Sequence, residues 1–187
     1  MAGTSTGRIG AYPGTFDPPT IAHLAIAEAA VRQCGLDRVD LILSVDPLGK
    51  PGAAATLERR LDVLKAVAAR RDWLGVAVTE HRHLVDIAAG YDVLVLGADK
   101  WAQVLDVAFY DSVAHRDRAV AGLPALAVAP RDGLAVPDGC MVLDVDLSHV
   151  SSTAARAGRR DLIVPEALRH LDATPPGPEP IADGGPS

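Results

Sequence analysis

Tyr12-Pro13-Gly14-Thr15-Phe16-Asp17-Pro18-Pro19-Thr20-Ile21-Ala22-His23 is the stretch that decides the reading of this chain. The short apolar run Arg8–Tyr12 leads into it and predicts a strand. Thr20–Cys34 follows as a helical pattern, with Gly35 as a natural C-terminal stop. A small glycine-containing turn between a strand and a helix lets the backbone approach a ligand closely. The helix start adds N–H groups and the positive end of a dipole, a combination suited to phosphate. Thr20 and His23 lie three residues apart at that helix start and so share one face.

Outward from this unit, strand and helix signals alternate. Val39–Ser44 predicts a strand, and 45–55, with its prolines and glycines, a loop. Thr56 caps a predicted helix to about Arg70. Leu57, Leu61, Leu64 and Ala68 share one face of it, while Glu58, Arg59, Arg60 and Lys65 are read as mostly solvated. Val76–Thr79 is a strand, and His83–Ala89 a short helix ending at Gly90. Asp92–Leu96 is a nearly continuous apolar run, as a central parallel strand requires. Gly97-Ala98-Asp99 reads as a turn before another helix. Ala125–Ala129 and Met141–Val145 are the last strands. Ser151–Ala157 starts a helix, and Pro165–Leu171 is a final one with proline in its first turn. The expected fold is α/β: a Rossmann-like, doubly wound parallel sheet with helices on both faces. Residues 1–173 form one domain, and the Pro- and Gly-rich 174–187 is expected to be a disordered tail.

Composition narrows the function. With 187 residues the chain can bury a substantial core, and with 4% aromatics that core must be aliphatic. A net charge of −6 and the lack of a basic stripe argue against a nucleic-acid partner. Cys34 and Cys140 fit no metal or redox spacing, which suits a reducing cytoplasm. No run approaches the roughly 20 apolar residues of a membrane span, and the N-terminus lacks a signal-peptide core. The expectation is a soluble, cytoplasmic protein with no membrane contact, and a homo-oligomer is left open. GxSxG, the Walker lysine motif and GxGxxG do not occur.

Ser151, Ser152 and Thr153 offer hydroxyls and N–H groups at a helix start, and Arg156 lies one turn on, within reach of the same anion. Lys50 sits in the loop after the second strand. Asp99, after a buried strand, is placed to accept hydrogen bonds from ribose hydroxyls or to cap a helix. Trp101 either stacks on a ring or is buried. His81 and His83 lack a third ligand for a metal, and His115 reads as a surface residue.

Taken together, these segments resemble the nucleotidyltransferase superfamily that carries the (H/T)xGH motif, in motif order over roughly residues 8–171. The stretch 12–23 and the segment Lys50-Pro51…Thr56-Leu57-Glu58-Arg59-Arg60 are similar to phosphopantetheine adenylyltransferases. Leu96-Gly97-Ala98-Asp99, Ser151–Arg156 and Val164-Pro165-Glu166-Ala167 are similar to nicotinate/nicotinamide mononucleotide adenylyltransferases. The resemblance implies transfer of AMP from ATP, with Mg²⁺, to a small phosphate ester. A pyridine mononucleotide of NAD biosynthesis is the favoured acceptor. Phosphopantetheine, and a non-catalytic nucleotide-binding role, are the alternatives. It implies that His23, Thr15 and Lys50 are catalytic. Gly14, Phe16, Thr20, Gly97, Asp99, Ser151, Ser152, Thr153 and Arg156 would bind the nucleotide, and Trp101, Phe109 and Tyr110 the acceptor, with no protein-bound metal. Ala22 stands where the motif has glycine, and Phe109-Tyr110-Asp111 where the mononucleotide enzymes usually have a Trp-His pair.

Overall fold

Every strand joins one parallel sheet of six strands. The computed structural model describes residues 7–45, 55–147 and 149–173. The loop carrying Lys50, residue Ser148 and the segment 174–187 lie outside the described residues. The strands are β1 (Ile9–Pro13), β2 (Arg38–Ser44), β3 (Leu74–Thr79), β4 (Val93–Gly97), β5 (Ala125–Ala129) and β6 (Met141–Val142). Their order across the sheet is β3-β2-β1-β4-β5-β6, and each pairing is parallel. The order reverses between β1 and β4, which is where a doubly wound sheet opens a crevice at its C-terminal edge.

Side chains alternate across the strands and divide the interior into a core on each face. Val39, Leu41 and Leu43 of β2 and Val93 and Val95 of β4 pack on one face. There they meet α1 (Ile21–Cys34), α2 (Leu57–Ala68) and α7 (Pro165–Ala173). Ile42, Leu94 and Leu96 point to the other face, against α3 (Leu84–Ile87) and α4 (Ala98–Leu105). Two further helices, α5 (Val113–Ala121) and α6 (Ser152–Arg156), complete the described set. Among the described residues no helix is long and apolar enough to cross a membrane.

Local chemistry explains most boundaries. Thr20 is the N-cap of α1, and Gly35 ends it at φ +61°, a left-handed conformation that glycine adopts without steric cost. The Thr56 hydroxyl accepts from the Arg59 N–H and starts α2. Other expectations need correction. Residue 98 already belongs to α4, so no separate turn follows β4: Gly97 is both its last residue and the N-cap of the helix. The last strand stops at Val142, because Val145 turns back to hydrogen-bond the Leu143 carbonyl. Helix α5 was not foreseen. Arg60, read as solvated, is buried, because it stands on the same face of α2 as Val63, Leu64 and Val67.

Leu94 is fully buried in the central strand. Leu94→Ala is expected to destabilise the fold by about 2–5 kcal/mol. Urea unfolding checks this, and an unchanged midpoint would contradict the core described here.

Candidate active site

A cavity of about 760 Å³ opens at the C-terminal edge of the sheet, over the β1/β4 switch point. It collects side chains from segments far apart in sequence. Gly14, Thr15, Thr20, Ala22 and His23 come from the β1–α1 unit. Gly97 and Asp99 come from the end of β4, Phe109 and Tyr110 from the segment after α4, and Ser151, Ser152, Thr153 and Arg156 from the start of α6. Most of the residues singled out from the sequence therefore converge here.

The β1–α1 loop is built around one aromatic ring. Phe16 adopts φ +46°, which costs a non-glycine residue about 1–2 kcal/mol. Its ring is 1% exposed and packs edge-on against Tyr12 at 5.5 Å and His23 at 5.0 Å. Burying a phenyl ring contributes about 1.5–3 kcal/mol, so packing outweighs the backbone strain. The ring faces the core rather than the cavity, which corrects the expectation that this side chain binds nucleotide. Gly14, which lines the cavity, also makes room for this ring. A Cβ there would lie 2.7 Å from Phe16 Cζ, and its N–H already donates to the Ile42 carbonyl at 3.0 Å. Glycine is required at position 14 because the Phe16 ring occupies the space.

His23 has a defined tautomer. The Thr20 backbone N–H donates to His23 Nδ1 at 2.9 Å, and the Thr20 hydroxyl is 2.9 Å from the same atom. A backbone N–H can only donate, so Nδ1 carries no proton and the ring proton sits on Nε2. The arrangement is a capping box with His23 in the place usually held by Glu or Gln. Nε2 is then the protonated nitrogen of this cavity-lining imidazole.

Helix α6 is tied to this loop. Ser151 caps it through the Ala154 N–H at 3.1 Å, and the Ser152 hydroxyl donates to the Pro18 carbonyl at 2.9 Å. Arg156 donates through Nη1 to the Asp17 carbonyl and through Nη2 to the Thr153 hydroxyl at 3.4 Å. The first turns of α1 and α6 hold no acidic residue, whereas α2, α4 and α7 carry Glu58, Asp99 and Glu166 there. The starts of α1 and α6 thus border the cavity with their dipoles uncompensated, while that of α4, which borders it as well, carries Asp99.

On the β4 side, the Asp99 carboxylate folds back over Gly97, where a Cβ would lie 2.5 Å from Asp99 Oδ1. Asp99 is largely exposed, and Arg131 Nε lies 3.8 Å from its Oδ1. Burial, and secondly the Asp99 carboxylate, hold the Tyr12 hydroxyl above the ordinary phenol range, so Tyr12 stays neutral. Trp101 does not reach the cavity. It is 8% exposed and packs in the core beneath α4, which corrects its assignment to the acceptor.

Sequence reasoning missed several lining residues. Arg82 and His83 enter after β3, Lys100 and Gln103 from α4, and Arg131 after β5. The His83 ring stacks on Tyr110 at 5.7 Å and an interplanar angle of 27°, and the Tyr110 hydroxyl donates to the Val104 carbonyl at 3.0 Å. Their positions just past strand C-terminal ends were the available signal. The described lining holds Arg82, Lys100, Arg131 and Arg156 against the carboxylates Asp17 and Asp99. A chain of net charge −6 thus presents a locally cationic cavity. Among the described residues no group of three His, Cys, Asp or Glu could hold a metal ion.

This sheet order, with a cationic cavity at its switch point, defines a nucleotide-handling α/β protein. The comparisons agree. Residues 11–158 match the Cytidylyltransferase-like family. A "probable nicotinate-nucleotide adenylyltransferase" of Salinibacter ruber is 30% identical, with 86% of this chain and 92% of the relative covered. One from Bordetella avium is 28% identical, over 88% and 94%. Nicotinic acid mononucleotide adenylyltransferase of Plasmodium falciparum, solved with NaAD, superposes with a TM-score of 0.67 at 13% identity, over 89% of this chain and 95% of that one. The chain belongs to the Cytidylyltransferase-like family, and its curated relatives make it an ATP-dependent nucleotidyltransferase of the adenylyltransferase kind.

Gly14→Ala forces its methyl into Phe16, and such overpacking costs about 1–3 kcal/mol. Thermal unfolding is expected to show the loss. An unchanged Tm would mean that the ring has another place to go.

Proposed function

We propose that the cavity binds ATP beside nicotinate mononucleotide and transfers AMP between them, with release of pyrophosphate. The His23 tautomer is the observation that carries this reading. A neutral imidazole donor, fixed by its own helix cap, is suited to an α-phosphate oxygen on which charge builds up during reaction. An oxygen of the acceptor phosphate attacks the α-phosphorus as the bond to the β-phosphate oxygen breaks. The acceptor is already anionic, so no general base is needed. Catalysis is then positioning plus electrostatic stabilisation.

The residues divide by location. Thr15, Thr20 and His23 serve the reacting phosphates. Ser151, Ser152, Thr153 and Arg156 hold the β- and γ-phosphates, supported by the uncompensated helix starts. Gly97 and Asp99 take the adenosine side, with Asp99 on the ribose. Tyr110, Phe109 and His83 offer the acceptor a ring-lined wall, and Arg82 adds positive charge suited to a carboxylate-bearing pyridine. Lys50 retains the phosphate-binding role that the resemblance implies. Mg²⁺ bound with ATP would supply neutralisation of charge on the triphosphate, beside the positive charge of Arg156. The Ala22 methyl lines the cavity where the motif has glycine, so ATP must seat against a slightly fuller wall.

Pyrophosphate release from ATP is expected with nicotinate mononucleotide, and more weakly or not at all with nicotinamide mononucleotide or phosphopantetheine. ATP binding without release on any acceptor would leave a nucleotide-binding protein and refute the proposal. His23→Ala is expected to lower kcat about 100- to 1,000-fold, well beyond the modest fall in Tm that loss of the α1 cap and of the Phe16 ring contact brings. Full activity in that variant would remove His23 from the mechanism.

A further inference from the structure

Arg60 lies outside the main cavity and grips the phosphate loop from behind. It is 6% exposed, and its Nη1 donates to the Thr15 carbonyl at 3.1 Å. Its Nε is buried without a hydrogen-bond partner. A buried arginine with an unmet donor is a poor stabiliser, because desolvating the guanidinium opposes whatever its contacts contribute. An apolar side chain would continue the Val63, Leu64 and Val67 face of α2 at no such cost. The position is therefore better explained by where the guanidinium holds the loop than by stability.

The hold has a directional effect. The Thr15–Phe16 peptide is trans, so its C=O and N–H point in opposite directions. With the Thr15 carbonyl turned back to Arg60, the Phe16 N–H is turned the other way. Thr15 lines the main cavity, whereas neither Arg60 nor Phe16 does, so the hold reaches the cavity through Thr15. Asp17, 8% exposed and a carboxylate that favours the charged form of Arg60, accepts from the Ala55 N–H at 3.2 Å. This ties the same loop to the chain that leads into α2.

We propose that Arg60 is a positioning residue for nucleotidyl transfer. By holding the Thr15 carbonyl it fixes where Thr15, which lines the cavity, stands beside the ATP phosphates. The proposal rests on the reading of the cavity as an ATP site.

The experiment compares wild type, Arg60→Met and Arg60→Lys in the full chain. It reads Tm, ATP affinity by calorimetry, and kcat and KM with nicotinate mononucleotide. Arg60→Met is expected to keep its Tm within a few degrees, to bind ATP about 10-fold more weakly and to lose about 10- to 100-fold in kcat, with KM for the acceptor little changed. Arg60→Lys, which keeps one donor, is expected to fall between. A folded Arg60→Met with wild-type ATP affinity and kcat overturns the proposal, as does a loss of activity that only tracks the folded fraction. If Arg60→Met does not fold, Arg60→Lys decides: a several-fold lower kcat supports the role, and wild-type values refute it. Wild-type protein that binds ATP but transfers nothing would refute the acceptor reading and still leave Arg60 testable through ATP affinity.

Discussion

The hold on the β1–α1 loop is the constraint on which the rest of the site depends. Pro13, Pro18 and Pro19 lack N–H groups, so this stretch has few donors of its own to close its turns. Its carbonyls are met from outside instead. Arg60 takes that of Thr15, Arg156 that of Asp17, Ser152 that of Pro18, and the Val164 N–H that of Pro19. Helices α2 and α6 and the chain before α7 are thereby fastened to one loop, with the Phe16 ring as its internal pin.

The sheet supplies the rest of the geometry. Because β1 and β4 are neighbours whose connections run to opposite sides, the turns after them diverge and leave a crevice. Into it come α1 and α6 by their N-termini, both without acidic first turns. The two cores are divided by simple alternation along β2 and β4, so the site needs no special packing beneath it. What it requires is glycine at position 14, where the buried Phe16 ring fills the space a Cβ would take.

Features set by local chemistry were legible in the sequence. Thr20 and Gly35 bound α1, Thr56 starts α2, and the apolar run 93–96 is a fully buried strand. Features set by tertiary packing were not. Helix α5 contains no buried residue, so it leaves no apolar stripe to detect. Phe16 and Trp101 looked like ligand contacts because aromatics near a phosphate turn often are, yet both are consumed by the core. Arg60 was misread because charge was given priority over spacing. Positions 60, 63, 64 and 67 form one helical face, and that periodicity already placed the arginine inside. His83 was dismissed for lacking metal partners, when its position beyond β3 was the informative fact.

The charge of the cavity runs against that of the molecule, and this bears on what the loop clamp is for. A net charge of −6 repels anionic substrates at long range, but solvent ions screen that field within about 8–10 Å. Inside the cavity, Arg82, Lys100, Arg131 and Arg156 act over shorter distances and in less water. Attraction there is strong enough that placement, rather than affinity, becomes the limiting demand. Arg156 illustrates the solution, since the same guanidinium that lines the cavity also binds the Asp17 carbonyl. A phosphate drawn to Arg156 therefore meets a loop that Arg156 itself helps to hold in register.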